Sequence, residues 1–290
     1  AKDLTKMSSK TAIKFLIPED KSSTLFKWVA ILTGSKNSIK GTGFFIGGLL
    51  LQSLGFQKAL WSMAIVIVLA FVVSLWLLPQ EIGKAKSSSK LSGVLDQNRE
   101  IKLLSAARVF LFGARDIWFV VAIPIFLSTN FQWNFSQVGS FMAIWVIVYG
   151  FVQAIAPALL HFRSKGHAPG GKIAVELAFL LFICMTIIAV SFLIDFEVKS
   201  IIIGGLYLFG AIFAVNSSVH SFLVLDYADG EKAAMNVGFY YMANAGGRLI
   251  GTLLSGLLYQ LGGVSYCLVG SALFLLISGL ICFKLPKQSY

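Results

Sequence analysis

Acidic residues are scarce in this chain. Thirteen Asp and Glu stand against 24 Lys and Arg, and charged residues make up only 13% of its 290 positions. Soluble domains carry about 25%, so a soluble globule is excluded. Cysteine is almost absent. Cys184, Cys267 and Cys282 lie in apolar stretches with no CxxC pair, so they read as small core hydrophobes, and neither a disulfide framework nor a metal centre is expected. Strict apolar–polar alternation is missing, which excludes a β-barrel. There is no ATP-binding P-loop, no cofactor motif, and no visible secretory signal peptide. The chain begins at Ala1 rather than Met, as a truncated start would.

What the sequence has is apolar length: 57% of its residues are hydrophobic and its mean hydropathy is +0.81. A bilayer core of about 30 Å needs roughly 20 apolar residues per helix. The runs predict spans at about 24–54, 58–79, 101–127, 136–160, 173–194, 200–225, 233–261 and 264–284. The fold class expected is an all-α polytopic membrane protein. Residues 1–18 read as the end of an earlier helix, with Lys2, Lys6, Lys10 and Lys14 in an i+4 ladder. A polar stretch rich in Ser and Lys separates residues 1–80 from residues 101–290 and is expected to be a linker over 81–100.

The net charge of +11 has sources other than nucleic acid, which is not an expected partner. Alternate loops collect Lys84, Lys86, Lys90, Arg99 and Lys102, then Arg163, Lys165 and Lys172, then Lys232, then Lys284 and Lys287. The opposite loops hold only Lys58 and Lys199. The positive-inside rule places the basic set, and the C-terminus, in the cytoplasm of a cell inner membrane. The lipid bilayer is thus one expected partner.

The rest of the charge lies inside spans. Lys36 and Lys40 are four apart, so on a helix they share a face. Arg108 and Arg115 are seven apart and also face one way. With Lys6, Lys10 and Arg248 they make seven deep cations, against Asp3, Asp116 and Glu176 as counter-ions. Four unmatched charges in hydrocarbon would cost on the order of 10 kcal/mol. A water-filled cavity that receives a small anionic substrate removes that cost, with Arg supplying a bidentate fork and Lys a point charge. Asn216, His220, Asn244, Tyr240 and Tyr241 are candidate hydrogen-bonding partners of such a substrate. Asp116, His220 and Asp3 are candidate proton relays. Because neighbouring helical residues point about 100° apart, Arg115 and Asp116 are not expected to form a simple pair.

Two segments repeat at an offset of 208. Lys40, Gly43, Gly48, Leu49, Leu50, Gln52 and Gly55 align with Arg248, Gly251, Gly256, Leu257, Leu258, Gln260 and Gly263. Lys36 aligns with Asn244. Both segments run in the same direction, so the repeat is parallel, as between the two six-helix halves of major facilitator transporters. On that register a first half would start ~107 residues before Ala1, and the chain would hold the end of its fourth helix, its fifth and sixth, and the whole second half.

Several motifs resemble one family. Ala1-Lys-Asp-Leu-Thr-Lys-Met-Ser-Ser-Lys10, Thr33-Gly-Ser-Lys-Asn37, Leu104-Ser-Ala-Ala-Arg108, Phe112-Gly-Ala-Arg-Asp116 and Asn236-Val-Gly-Phe-Tyr-Tyr-Met-Ala-Asn244 are similar to the organoarsenical efflux permeases of the major facilitator superfamily. The similarity runs over nearly the whole chain. It implies export of 1-arseno-3-phosphoglycerate, arsenate resistance, and functional coupling to a glyceraldehyde-3-phosphate dehydrogenase that makes the ester. The superfamily's acidic-basic loop motif is degenerate here, at Pro157 to Arg163. The resemblance assigns no residue roles, so the sites above rest on the residues themselves. Other readings stay open on residues alone: an importer or exchanger of ordinary organophosphates, an anion channel, or a membrane enzyme built on Asp226, Asp229, Glu231 and His220.

Overall fold

The computed structural model describes residues 13, 17–18, 21–77, 97–161, 167–194, 196, 198–228 and 233–286. Lys6, Lys10 and Asp3, and most of the 81–100 linker, lie outside them. The helices are α1 (Ser22–Leu77), α2 (Arg99–Phe119), α3 (Ala122–Thr129), α4 (Phe135–Leu160), α5 (Gly171–Leu193), α6 (Val198–Asp226) and α7 (Ala233–Cys282). No strand occurs among the described residues. Six helical stretches are long and apolar enough to cross a membrane, α2 and α3 counting as one. Two of these, α1 and α7, are kinked, which gives eight apolar segments at the expected positions.

The kinks fall where the repeat predicts them. Gly55 has φ 74°, ψ 172° and Gly263 has φ 67°, ψ −155°, an extended positive-φ region open almost only to glycine that costs an L-residue roughly 1–3 kcal/mol. The two glycines are paired at the offset of 208, and each ends a cation-bearing segment. Gly263→Ala and Gly55→Ala are each expected to lower the thermal midpoint by a few degrees. Gly204→Ala, where a Cβ would meet nothing within 4 Å and φ is not left-handed, is expected not to lower it. Scanning fluorimetry of the three variants checks this.

The expected single span over 101–127 is in fact two helices. Pro124 has no N–H to give the Val120 carbonyl four residues back, so the ladder fails there. The Ala122 N–H instead donates to Ser255 Oγ at 3.2 Å. At the other end of α2, Asn98 caps the helix by accepting from the Ile101 N–H at 2.9 Å.

Close packing is set by small residues. The first segment of α1 lies antiparallel on α4, with Gly34 and Ser38 against Gly150, and Gly48 against Gly139. A Cβ on Gly48 would lie 3.2 Å from Gly139 Cα. The α2–α7 contact is similar: a Cβ on Gly251 would lie 2.9 Å from Gly113 Cα. Within a membrane such stripes let backbones approach and gain dispersion contacts where no hydrophobic drive exists. The aromatic core of the chain, around Trp118, Trp145, Phe209 and Phe213, lies between α2, α4 and α6. The second segment of α1 contrasts with this. Its side chains are exposed nearly all round, Trp76 at 88%.

Candidate functional site

One stripe of α2 carries the chemistry. Arg108, Phe112, Arg115 and Phe119 recur at spacings of four, three and four, which places them on one face. The Arg108 guanidinium lies 3.7 Å from the Phe112 ring centre and 5.0 Å from that of Tyr240. Arg115 lies 4.9 Å from Phe112 and 5.7 Å from Phe119. Two guanidiniums thus share the Phe112 ring, an arrangement that holds cations by their attraction to the ring faces and limits their rotamers. Arg108 is only 4% exposed. Its Nε donates to Asn244 Oδ1 at 3.1 Å, and its Nη1 to the Ser217 carbonyl at 3.5 Å.

Asp116 is wholly buried and sits between two arginines. Arg115 Nε donates to Oδ1 at 2.6 Å, and Arg248 Nε to Oδ2 at 2.9 Å. The sequence-based expectation that Arg115 and Asp116 do not pair is therefore corrected. Their Cβ directions diverge, but the long guanidinium stem folds back to the short carboxylate. Arg248 reaches Asp116 because Gly247 and Gly251 flank it and let α7 press against α2. A carboxylate stripped of water is tolerable when both oxygens accept charge-assisted bonds.

These groups border a cavity of about 290 Å³. Its wall includes Lys36, Asn37 and Lys40 of α1, Arg108 and Arg115 of α2, and Asn244 and Arg248 of α7. It continues into a second chamber of about 660 Å³, which shares Asn37, Lys40, Arg115, Tyr149 and Arg248 and also touches Asp116. Among the described residues, five basic side chains and one carboxylate border the two chambers, a formal excess of four positive charges.

The structure brings Lys36, Lys40, Arg108, Arg115, Arg248 and Asn244 together. It does not bring Asn216, His220 or Tyr240 to either cavity wall. All three are fully buried. Their neighbours Ser217, Ser221 and Tyr241 border the smaller cavity instead. His220 Nε2 faces Cys282 Sγ at 3.9 Å, inside the helix packing. Asp116 does border the larger chamber, as an ion-pair partner of two arginines. Glu176, a sequence-based counter-ion, lies near the start of α5 and borders neither chamber.

Sequence reasoning gave no role to a polar relay across three helices. Asn37 Nδ2 donates to Gln153 Oε1 at 2.7 Å, and Gln153 Nε2 to Ser217 Oγ at 3.3 Å. The signal was present: Gln153 is the one polar residue deep in its span. The relay ties α1 to α4 and α6 beside the cavity.

No family model matches this chain, and no curated protein does. Among solved structures, the chain is similar to a bacterial homologue of the iron transporter ferroportin, crystallised in an outward-facing state. The TM-score is 0.67 at 14% identity, over 97% of this chain and 68% of that one. The chain shares that structure's all-helical fold, which is of the major facilitator type. In a polytopic helical fold, cations within apolar spans are expected where helices enclose water, and Lys36, Lys40, Arg108, Arg115 and Arg248 all border the cavities. Of the groups named for a membrane enzyme, Asp229 and Glu231 lie outside the described residues. Among the described residues no three His, Cys, Asp or Glu side chains converge as metal ligands.

Proposed function

We propose that this protein is a secondary carrier of an anionic organic substrate, bound by the Lys and Arg side chains around the smaller cavity. The observation that carries this reading is that, among the described residues, five basic side chains and a single carboxylate border the cavities. A metal cation would be repelled by that field, so the fold shared with the ferroportin homologue does not extend to its cargo. Alternating access would move α1 with its Lys36 and Lys40 against the helices bearing Arg108, Arg115 and Arg248.

The specific substrate proposed is 1-arseno-3-phosphoglycerate, exported across the inner membrane with the C-terminus in the cytoplasm. Support comes from the resemblance to organoarsenical efflux permeases and from charge matching: a phosphate and an arsenate group carry about as many negative charges as the walls have in excess. A glyceraldehyde-3-phosphate dehydrogenase would supply the ester.

The test is uptake of labelled phosphate esters into everted vesicles containing the protein, with and without arsenate, glyceraldehyde 3-phosphate, NAD and the dehydrogenase. Accumulation only when the arseno-ester can form is the expected result. Accumulation of plain 3-phosphoglycerate in every condition would retain the anion carrier and replace the arsenical with ordinary organophosphates. No accumulation of either ester would overturn the reading.

A further inference from the structure

The two joined chambers differ in chemistry. The smaller one gathers the guanidinium and ammonium groups. The larger one also touches Asp116, Ser128 and Thr129, but beyond these and the shared residues its wall is mainly apolar, with Phe44, Phe119, Ile125, Met142, Trp145 and Val146. Phe119, Met142, Trp145 and Val146 are each less than 9% exposed. They are held by the aromatic core behind them, with Phe119 and Trp145 in ring contact at 4.6 Å, so the wall is preformed. On the α1 side the space is made by missing side chains. A Cβ built on Gly43 or on Gly47 would meet nothing within 4 Å, and both glycines border this chamber.

A fully polar phosphate ester has no use for that chamber, whose wall would release water gladly to an apolar group. We infer that the site takes amphipathic organic anions: an oxyanion head among Arg108, Arg115, Arg248 and the lysines, with an aryl or alkyl body lodged between Phe44, Phe119 and Trp145. The inference rests on the anion-carrier reading above and adds a second substrate class to it. Phosphonates, phosphate monoesters and arsonates with an apolar substituent all have the required form. The head fixes orientation through charge-assisted bonds, and the body adds affinity in proportion to the apolar area it buries.

Alkylphosphonates provide the probe, because the head is constant while the tail grows. Binding of methyl-, butyl- and hexylphosphonate to the purified full chain is measured by calorimetry. Each buried methylene is expected to tighten binding up to about four-fold, so butyl exceeds methyl by on the order of 50-fold. Gly47→Leu and, separately, Gly43→Leu place a side chain in the chamber where the backbone has room for one. In each variant the butyl-to-methyl affinity ratio is expected to fall towards one, with folding confirmed by the thermal midpoint.

A flat series with measurable methylphosphonate binding would overturn the apolar chamber and leave the anion carrier intact. A rising series whose ratio is unchanged in both variants would also overturn it, since the tail would then be bound elsewhere or in lipid. Absence of binding by every phosphonate would remove the anion carrier and this inference together.

Discussion

Arg108→Met is expected to weaken anion binding by roughly 10- to 150-fold while leaving the thermal midpoint unchanged or higher. The two effects diverge for a physical reason. Arg108 is 4% exposed and, among the described residues, has no carboxylate partner; its Nε and Nη1 reach the Asn244 amide oxygen and the Ser217 carbonyl. Burying a cation against neutral acceptors costs more solvation than those bonds return. Methionine keeps the length of the stem and its packing on Phe112 and Tyr240, so the fold loses a destabilising charge. An anion loses a charge-assisted bond worth about 1.5–3 kcal/mol. Arg108→Lys is expected to recover only part of the binding, because the ammonium lacks the fork. Uptake in vesicles, set beside scanning fluorimetry of the purified variants, separates the effects. A fall in stability that parallels the fall in uptake would make Arg108 structural.

Gly150→Leu is expected to abolish transport by separating α1 from α4. A Cβ at residue 150 would run into the backbone and hydroxyl of Ser38 and come within 2.6 Å of the Gly34 carbonyl. The Ser38 nitrogen and the Gly34 carbonyl are backbone atoms in the middle of α1, so neither can turn aside. Overpacking of a core costs about 1–3 kcal/mol where side chains can adjust, and more is expected where they cannot. Lys36, Asn37 and Lys40 would move away from the arginines of α2 and α7, and the Asn37–Gln153 bond would break. Gly246→Leu, placed where a Cβ meets nothing within 4 Å, is expected to transport normally. Comparing inserted protein by size-exclusion profile with uptake per inserted molecule checks both. A monodisperse Gly150→Leu protein with wild-type uptake would show that the contact is dispensable.

The sequence disclosed the spans well because run length against bilayer thickness is a strong, nearly one-dimensional signal. The paired kinks at Gly55 and Gly263 were legible through the repeat. Rotational phase was not. Polar residues cluster in α6 and α7, but whether Asn216 or Ser217, Tyr240 or Tyr241, faces the cavity depends on one step of 100°. In a membrane helix lipid and core are both apolar, so hydrophobicity marks the buried face weakly. The role of Asp116 was hidden for another reason. Its contact with Arg248 depends on how closely α7 approaches α2, which the glycines at 113, 247 and 251 decide together. No single helix contains that information. The break at Val120 was signalled by Pro124 and is a matter of local chain chemistry.

The ion triad of Asp116 with Arg115 and Arg248 bears on how tightly a carrier can hold its cargo. At rest the site already contains a resident anion, tethered to the wall. For the carrier proposed above, an arriving oxyanion competes with Asp116 for the same guanidiniums, and its apparent affinity is lower than its bare attraction to them. A displaced charge-assisted bond of about 1.5–3 kcal/mol corresponds to roughly a 10- to 150-fold discount. When the cargo leaves, Asp116 closes the vacancy at once, so release does not strand two arginines without a partner. A binding protein would be impaired by such a tenant, whereas turnover benefits from it.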